Sequence, residues 1–131
     1  MRQANLLRCR ELATDVSIVR CLKPSVASAG MNIEVVRVFT DAQGACGNPL
    51  GVVLDGAAVP DPHQRQELAT RLGYSETIFF DDLDRGEVRI FTPTTELVFA
   101  GHPTVGAAWV LARELGRQPE ILHTLAGAVF A

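Results

Sequence analysis

One stretch of this chain, from about His102 or Pro103 to Leu115, constrains the fold more than any other. It carries Val105, Ala107, Ala108, Trp109, Val110, Leu111, Ala112 and Leu115, so at 3.6 residues per turn its apolar side chains fall on nearly every face. A helix of this kind is expected to be buried all round, with the rest of the domain wrapped about it. Pro103 suits the first turn, where its missing N–H would be unpaired in any case. Gly116 suits the stop. Gly106, Ala107 and Ala108 let neighbouring backbones come close.

The wrapping segments read mainly as strands. Asn32–Phe39 is rich in β-branched residues, and Leu50–Leu54 is a short apolar run closed by the turn dipeptide Asp55-Gly56. Pro60–Leu72 reads as a helix, begun by Asp61 or Pro62 and ended by Gly73. Glu76–Phe80 and Glu87–Phe91 flank the acidic turn Asp81–Gly86 and predict a hairpin-like pair. A further strand is expected over Glu96–Phe99. Ile121–Leu125 begins another, Gly127 interrupts it, and Val129-Phe130 resumes. The fold class is therefore α+β. The last residues leave an apolar strand unfinished, an edge that complete domains avoid.

With 131 residues and 47% hydrophobic content, the chain can bury a core without a disulfide or metal staple. Charge is unevenly shared. Residues 1–30 hold five basic residues and two acids, whereas residues 31–131 hold seven basic residues and thirteen acids. An acidic body without a basic face excludes nucleic acid as a partner. No apolar run reaches the roughly 20 residues of a membrane-spanning helix. Charges interrupt residues 1–30 too often for a secretory signal, so the folded domain is expected to begin near Met31, with residues 1–30 a flexible leader or mis-started extension. Cys9, Cys21 and Cys46 fit no zinc spacing and read as reduced thiols of a cytoplasmic protein.

Three clusters could carry chemistry. Gly47-Asn48-Pro49 lies between two strands and by itself reads as a turn. Ser75-Glu76-Thr77 sits at a helix-to-strand junction, where Tyr74 and Ile78-Phe79-Phe80 place Glu76 in surroundings that favour a protonated carboxylate. That suits a general acid/base, although a solvated Glu at a strand start is the plainer reading. Gly101-His102-Pro103-Thr104 opens the apolar helix, where unpaired N–H groups favour an anion and His102 and Thr104 can add donors. A lone His there is otherwise a cap. No nucleophile elbow, metalloprotease His spacing, phosphate loop, or nicotinamide or flavin fingerprint occurs. No metal or cofactor is expected.

Taken in order, the runs Phe39–Gly56, Tyr74–Phe80 and Arg89–Ala108 resemble the PhzF-like family of phenazine-biosynthesis isomerases, relatives of the diaminopimelate epimerases. The resemblance covers Met31 to the end. It implies a diaminopimelate-epimerase-like lobe, a β-barrel-like mixed sheet around a central buried helix, paired in the family with a similar second lobe across the active-site cleft. It implies Glu76 as the acid/base, His102 as its catalytic companion, which orients or polarises the substrate, and Asn48 as a substrate-positioning residue. The backbone of Gly101, Pro103 and Thr104 would hold a substrate carboxylate. The implied reaction is cofactor-independent proton shuttling on a small carboxylic acid. Racemising relatives use two opposed cysteines, and the first would fall at Ala100, which has no thiol; isomerisation with a carboxylate base is favoured. Residues 31–131 match one amino-terminal lobe, with the second lobe absent, so little activity is expected of the chain alone. The alternatives are a non-catalytic module that pairs with itself as a homodimer, and a truncated fragment.

Overall fold

The computed structural model describes residues 20–22, 32–39, 47–117 and 121–130. In chain order the elements are β1 (Arg20–Leu22), β2 (Ile33–Val38), β3 (Asn48–Val53), a 3-10 turn (Gly56–Ala58), α1 (Pro62–Leu72), β4 (Glu76–Asp82), β5 (Glu87–Phe91), β6 (Glu96–Leu97), α2 (Gly101–Leu115), β7 (Ile121–Thr124) and β8 (Gly127–Phe130). The strands form one mixed sheet in the order β1-β2-β3-β4-β5-β7-β8, with β6 also paired to β5. Strands β2 and β3 are antiparallel, with Val38 opposite Asn48. Strands β3 and β4 are parallel, with Leu50 opposite Glu76, because α1 carries the chain back along the sheet between them. Strands β4 and β5 form the expected antiparallel pair. Strands β6 and β7 share the far edge of β5, one at Ile90 and Phe91 and the other at Glu87.

Successive strand residues point to opposite faces, and each face has its own core. Towards α2 lie Val36 and Val38 of β2, Leu50 and Val52 of β3, Ile78 and Phe80 of β4, Val88 and Ile90 of β5 and Leu122 of β7, packed on Ala107, Val110 and Leu111. Five strands thus curve about one helix, and the α+β class with a sheet around a central helix is the one observed. On the other face Ile33, Val53, Phe79 and Phe91 meet Leu68 and Ala69 of α1. The Phe79 and Phe91 rings pack edge to face, 5.3 Å apart.

Local chemistry explains the element ends. The Asp61 side chain accepts from the His63 N–H at 2.9 Å and caps α1. Gly73 and Gly116 end the two helices in the left-handed conformation. Gly106 lets α2 approach the sheet: a Cβ there would lie 2.4 Å from Leu50 Cδ2. Arg65 is buried under the 3-10 turn, where it donates to the carbonyls of Val59 and Gly56 and pairs with Asp81. Arg89 pairs with Glu96 across β5 and β6, and that hydrogen bond raises the Arg89 pKa further.

Three expectations are corrected. Helix α2 is fully buried on one face only: Pro103, Thr104, Gly106, Ala107, Val110 and Leu111 are covered, whereas Val105, Ala108, Trp109 and Ala112 are half-buried. The sheet reaches round one side of the helix and leaves the other partly covered. Asn48 and Pro49 are not a turn but the start of β3, a position that tolerates a proline. Strand β6 stops at Leu97, and Val98 and Phe99 are exposed. Of residues 1–30, Arg20–Leu22 pair antiparallel with Val35–Arg37. The rest of that segment, with Cys9, and loop residues 40–46, with Cys46, lie outside the described residues. Among the described residues no helix is long and apolar enough to cross a membrane.

Candidate active site

One end of the sheet gathers the chemistry. Because β3 and β4 run parallel, their first residues, Asn48 and Glu76, lie at the same end. The close packing of α2 at Gly106 brings the start of that helix to the same place, one turn earlier at His102. Glu76 and Ile78 share a face of β4, the face turned towards α2. The result is direct contact: His102 Nδ1 lies 2.8 Å from Glu76 Oε2, with side-chain exposures of 14% and 19%. The second ring nitrogen, Nε2, lies 3.2 Å from the backbone carbonyl oxygen of Asn48.

The helix start beside this pair is open. Ala100 occupies the N-cap and offers no side-chain acceptor. The first N–H groups of a helix have no partner within it, and Pro103 has none to offer. The backbone donors of Gly101 and His102 therefore face outward at the positive end of a helix of 15 residues. Gly101 is exposed, with no atom within 4 Å of where a Cβ would stand. Thr104 is buried, and its hydroxyl donates to the Ala100 carbonyl at 2.7 Å. Its hydrogen is thus engaged within the helix.

All six residues singled out in the sequence are close together in the chain's own framework: Asn48, Glu76 and His102 are linked by hydrogen bonds, and Gly101, Pro103 and Thr104 belong to the same helix turn as His102. The Asn48 contact to His102 is made by its backbone; the exposed side-chain amide makes no hydrogen bond among the described residues. One neighbour was not anticipated. Phe39, directly after β2 and beside the start of β3, has φ of 60° and packs against the central core. A left-handed Phe costs about 1–2 kcal/mol, and neither Thr40 nor Asp41 after it announces the conformation. Among the described residues no group of three His, Cys, Asp or Glu side chains is placed to hold a metal ion.

Such an arrangement can exchange a proton through Glu76 next to a place for an anion. Comparison with known proteins gives it a family. Residues 36–131 match the PhzC-PhzF family, described as phenazine biosynthesis-like protein. The chain belongs to the PhzC-PhzF family. An uncharacterised isomerase of Pasteurella multocida is 42% identical over 101 residues, which are 72% of this chain and 34% of the relative. Trans-2,3-dihydro-3-hydroxyanthranilate isomerase of Pseudomonas fluorescens is 37% identical over 86 residues, 63% of this chain and 31% of that protein. Among solved structures, a PhzC/PhzF protein of Clostridium difficile superposes with a TM-score of 0.65 at 27% identity, covering 76% of this chain and 39% of that one. A predicted epimerase of Pseudomonas aeruginosa gives 0.64 at 34% identity, with 76% and 36% covered. The chain thus spans about a third of the length of the PhzC-PhzF relatives it matches, and those relatives are named isomerases.

Proposed function

We propose that this chain is the amino-terminal lobe of a cofactor-independent isomerase that moves a proton between carbons of a small carboxylic acid. Glu76 is the general acid/base. The Asn48 side-chain amide and the open N–H groups at Gly101 and His102 hold the substrate carboxylate. The observation that carries the reading is the Glu76–His102 contact of 2.8 Å at the uncapped start of a 15-residue helix. A carboxylate able to transfer a proton beside a helix start that favours an anion supports this reading, because proton abstraction next to a substrate carboxylate requires both. The substrate of the Pseudomonas fluorescens relative, trans-2,3-dihydro-3-hydroxyanthranilate, is the first compound to try. Effective catalysis needs a closed, water-poor site, and in this lobe the site is open, so a second lobe is required.

The test is solvent-deuterium incorporation into that compound. The product of the native locus, at whatever length it is made, should incorporate deuterium, and Glu76→Gln should abolish it. The 131-residue chain alone should show little or none. Exchange that survives Glu76→Gln in the native product removes Glu76 from the role. Exchange by the isolated chain, lost in Glu76→Gln, refutes the need for a second lobe.

A second reading, a non-catalytic module that pairs with a copy of itself, is favoured by one observation. Val98, Phe99 and Leu125 are 60%, 45% and 50% exposed, and the Ala126 N–H donates to the Val98 carbonyl, so the three form one apolar patch. Patches of this kind mark interfaces. Sedimentation as a monomer at micromolar concentration would remove this reading.

A further inference from the structure

His102 has two ring nitrogens, and both face oxygen. The oxygen at Nε2 belongs to the Asn48 backbone carbonyl, 3.2 Å away. A carbonyl can only accept, so Nε2 carries a hydrogen. Nδ1 faces Glu76 Oε2 at 2.8 Å, and a carboxylate oxygen without a proton can also only accept. Two bare lone pairs repel at that separation, so a hydrogen lies between them as well. A neutral imidazole has one hydrogen to give, and the Asn48 carbonyl already holds it.

We propose that the Glu76–His102 pair holds two protons at rest, one fixed on Nε2 by the Asn48 carbonyl and one between Nδ1 and Oε2, and that His102 is a positioning residue rather than a group that touches substrate. The single-proton alternatives each fail on geometry. A hydrogen on Nδ1 alone leaves a lone pair of Nε2 against the Asn48 carbonyl. A hydrogen on Nε2 alone leaves a lone pair of Nδ1 against a carboxylate. Both would turn or displace the ring, and the ring is held at both ends.

Two consequences follow, resting on the isomerase reading above. First, the pair carries no net charge, whether written as imidazolium and carboxylate or as imidazole and carboxylic acid. An anionic substrate can then approach the helix start without meeting a bare negative charge. Second, with both ring nitrogens engaged, Oε1 is the one polar atom of the pair left for chemistry. In the imidazolium–carboxylate form the substrate C–H bond breaks and its proton passes to Oε1. The electron pair stays on the substrate, delocalised towards its carboxylate. The Oε1–H bond then breaks as the proton passes to a second carbon. The two protons of the pair are the same before and after, and nothing else is consumed.

The experiment needs no substrate. The full chain, labelled with 15N and 13C, is examined by NMR near neutral pH, reading both ring nitrogens of His102 and the side-chain carboxyl carbon of Glu76. Two protons are expected across the pair: both ring nitrogens protonated beside an ionised Glu76, or Nε2 protonated beside a protonated Glu76. A ring protonated on Nδ1 alone, beside an ionised carboxylate, overturns the proposal. Glu76→Gln removes one proton site while keeping the shape, and His102 should then hold a single proton, on Nε2, with the substituted side-chain amide donating to Nδ1. Where the parent ring holds both protons, a ring that keeps both after that substitution also overturns it. The exposed His63 and His123 provide internal references. Because this readout is independent of turnover, two protons in a chain whose native product shows no deuterium exchange would refute the isomerase reading and leave this one standing.

Discussion

Gly106→Ala tests the packing on which the site depends. Gly106 lies in the middle of α2, and an added Cβ would stand 2.4 Å from Leu50 Cδ2 and 3.0 Å from Val38 Cγ2. Leu50 and Val38 are both fully buried, so neither side chain can swing out of the way. Ordinary contact begins near 3.4 Å, and the helix must therefore lift off β2 and β3 by about 1 Å. Two effects compete. Alanine favours the helix over glycine by about 1 kcal/mol. Overpacking a well-filled core costs about 1–3 kcal/mol. A clash this close against fully buried neighbours belongs at the upper end, which leaves a net loss of roughly 1–2 kcal/mol. For a chain of this size that lowers the melting temperature by roughly 4–8 °C. His102 stands one turn before Gly106 on the same side of the helix, so a lift of that size also stretches its 2.8 Å contact with Glu76 out of hydrogen-bond range. Urea unfolding gives the first quantity and the His102 ring nitrogen spectrum the second. Gly101→Ala, with no atom within 4 Å, is the control and should leave stability nearly unchanged. A Gly106→Ala protein as stable as the wild type, with an undisturbed His102 spectrum, would refute the reasoning.

Two further outcomes are expected. Ala100→Ser supplies the missing N-cap acceptor and should stabilise α2 by about 1 kcal/mol, while occupying the N–H groups meant for the substrate; thermal melting should rise and deuterium exchange by the native product should fall together. Thr77→Val removes a fully buried hydroxyl that has no partner among the described residues and should raise stability by about 1 kcal/mol in urea titration; a loss instead would mean that the hydroxyl is satisfied in solution.

Much of this was legible in the residue order. The ends of α2 followed from Pro103 and Gly116, and the α1 cap from Asp61, because these residues act on their own backbone. Glu76, His102 and Asn48 stood out as separate motifs, yet their convergence depends on the parallel pairing of β3 and β4, which no local signal carries. The atom by which Asn48 holds His102 is a backbone oxygen, invisible in side-chain chemistry; Pro49 was the available hint, since a residue before proline is pushed to an extended conformation. Arg65 reads in sequence as one more solvated charge on a helix. It is buried because the 3-10 turn presents two carbonyls that only a forked donor can serve together. The periodicity of α2 announced an all-apolar helix but not which side the sheet would leave uncovered.

The parallel β3–β4 crossover also divides the molecule into two poles. Asn48, Glu76 and His102 sit at the starts of their elements, while the Gly56–Ala58 turn, the Leu83–Gly86 turn and Gly116 lie at the opposite end. Lengthening a surface connection costs only about 0.6 kcal/mol per doubling. Segments grafted at the second pole would therefore change the molecule's size, reach or attachments while leaving the spacing of the three reactive-end residues intact. One pole is committed to its chemistry, and the other is free to diversify.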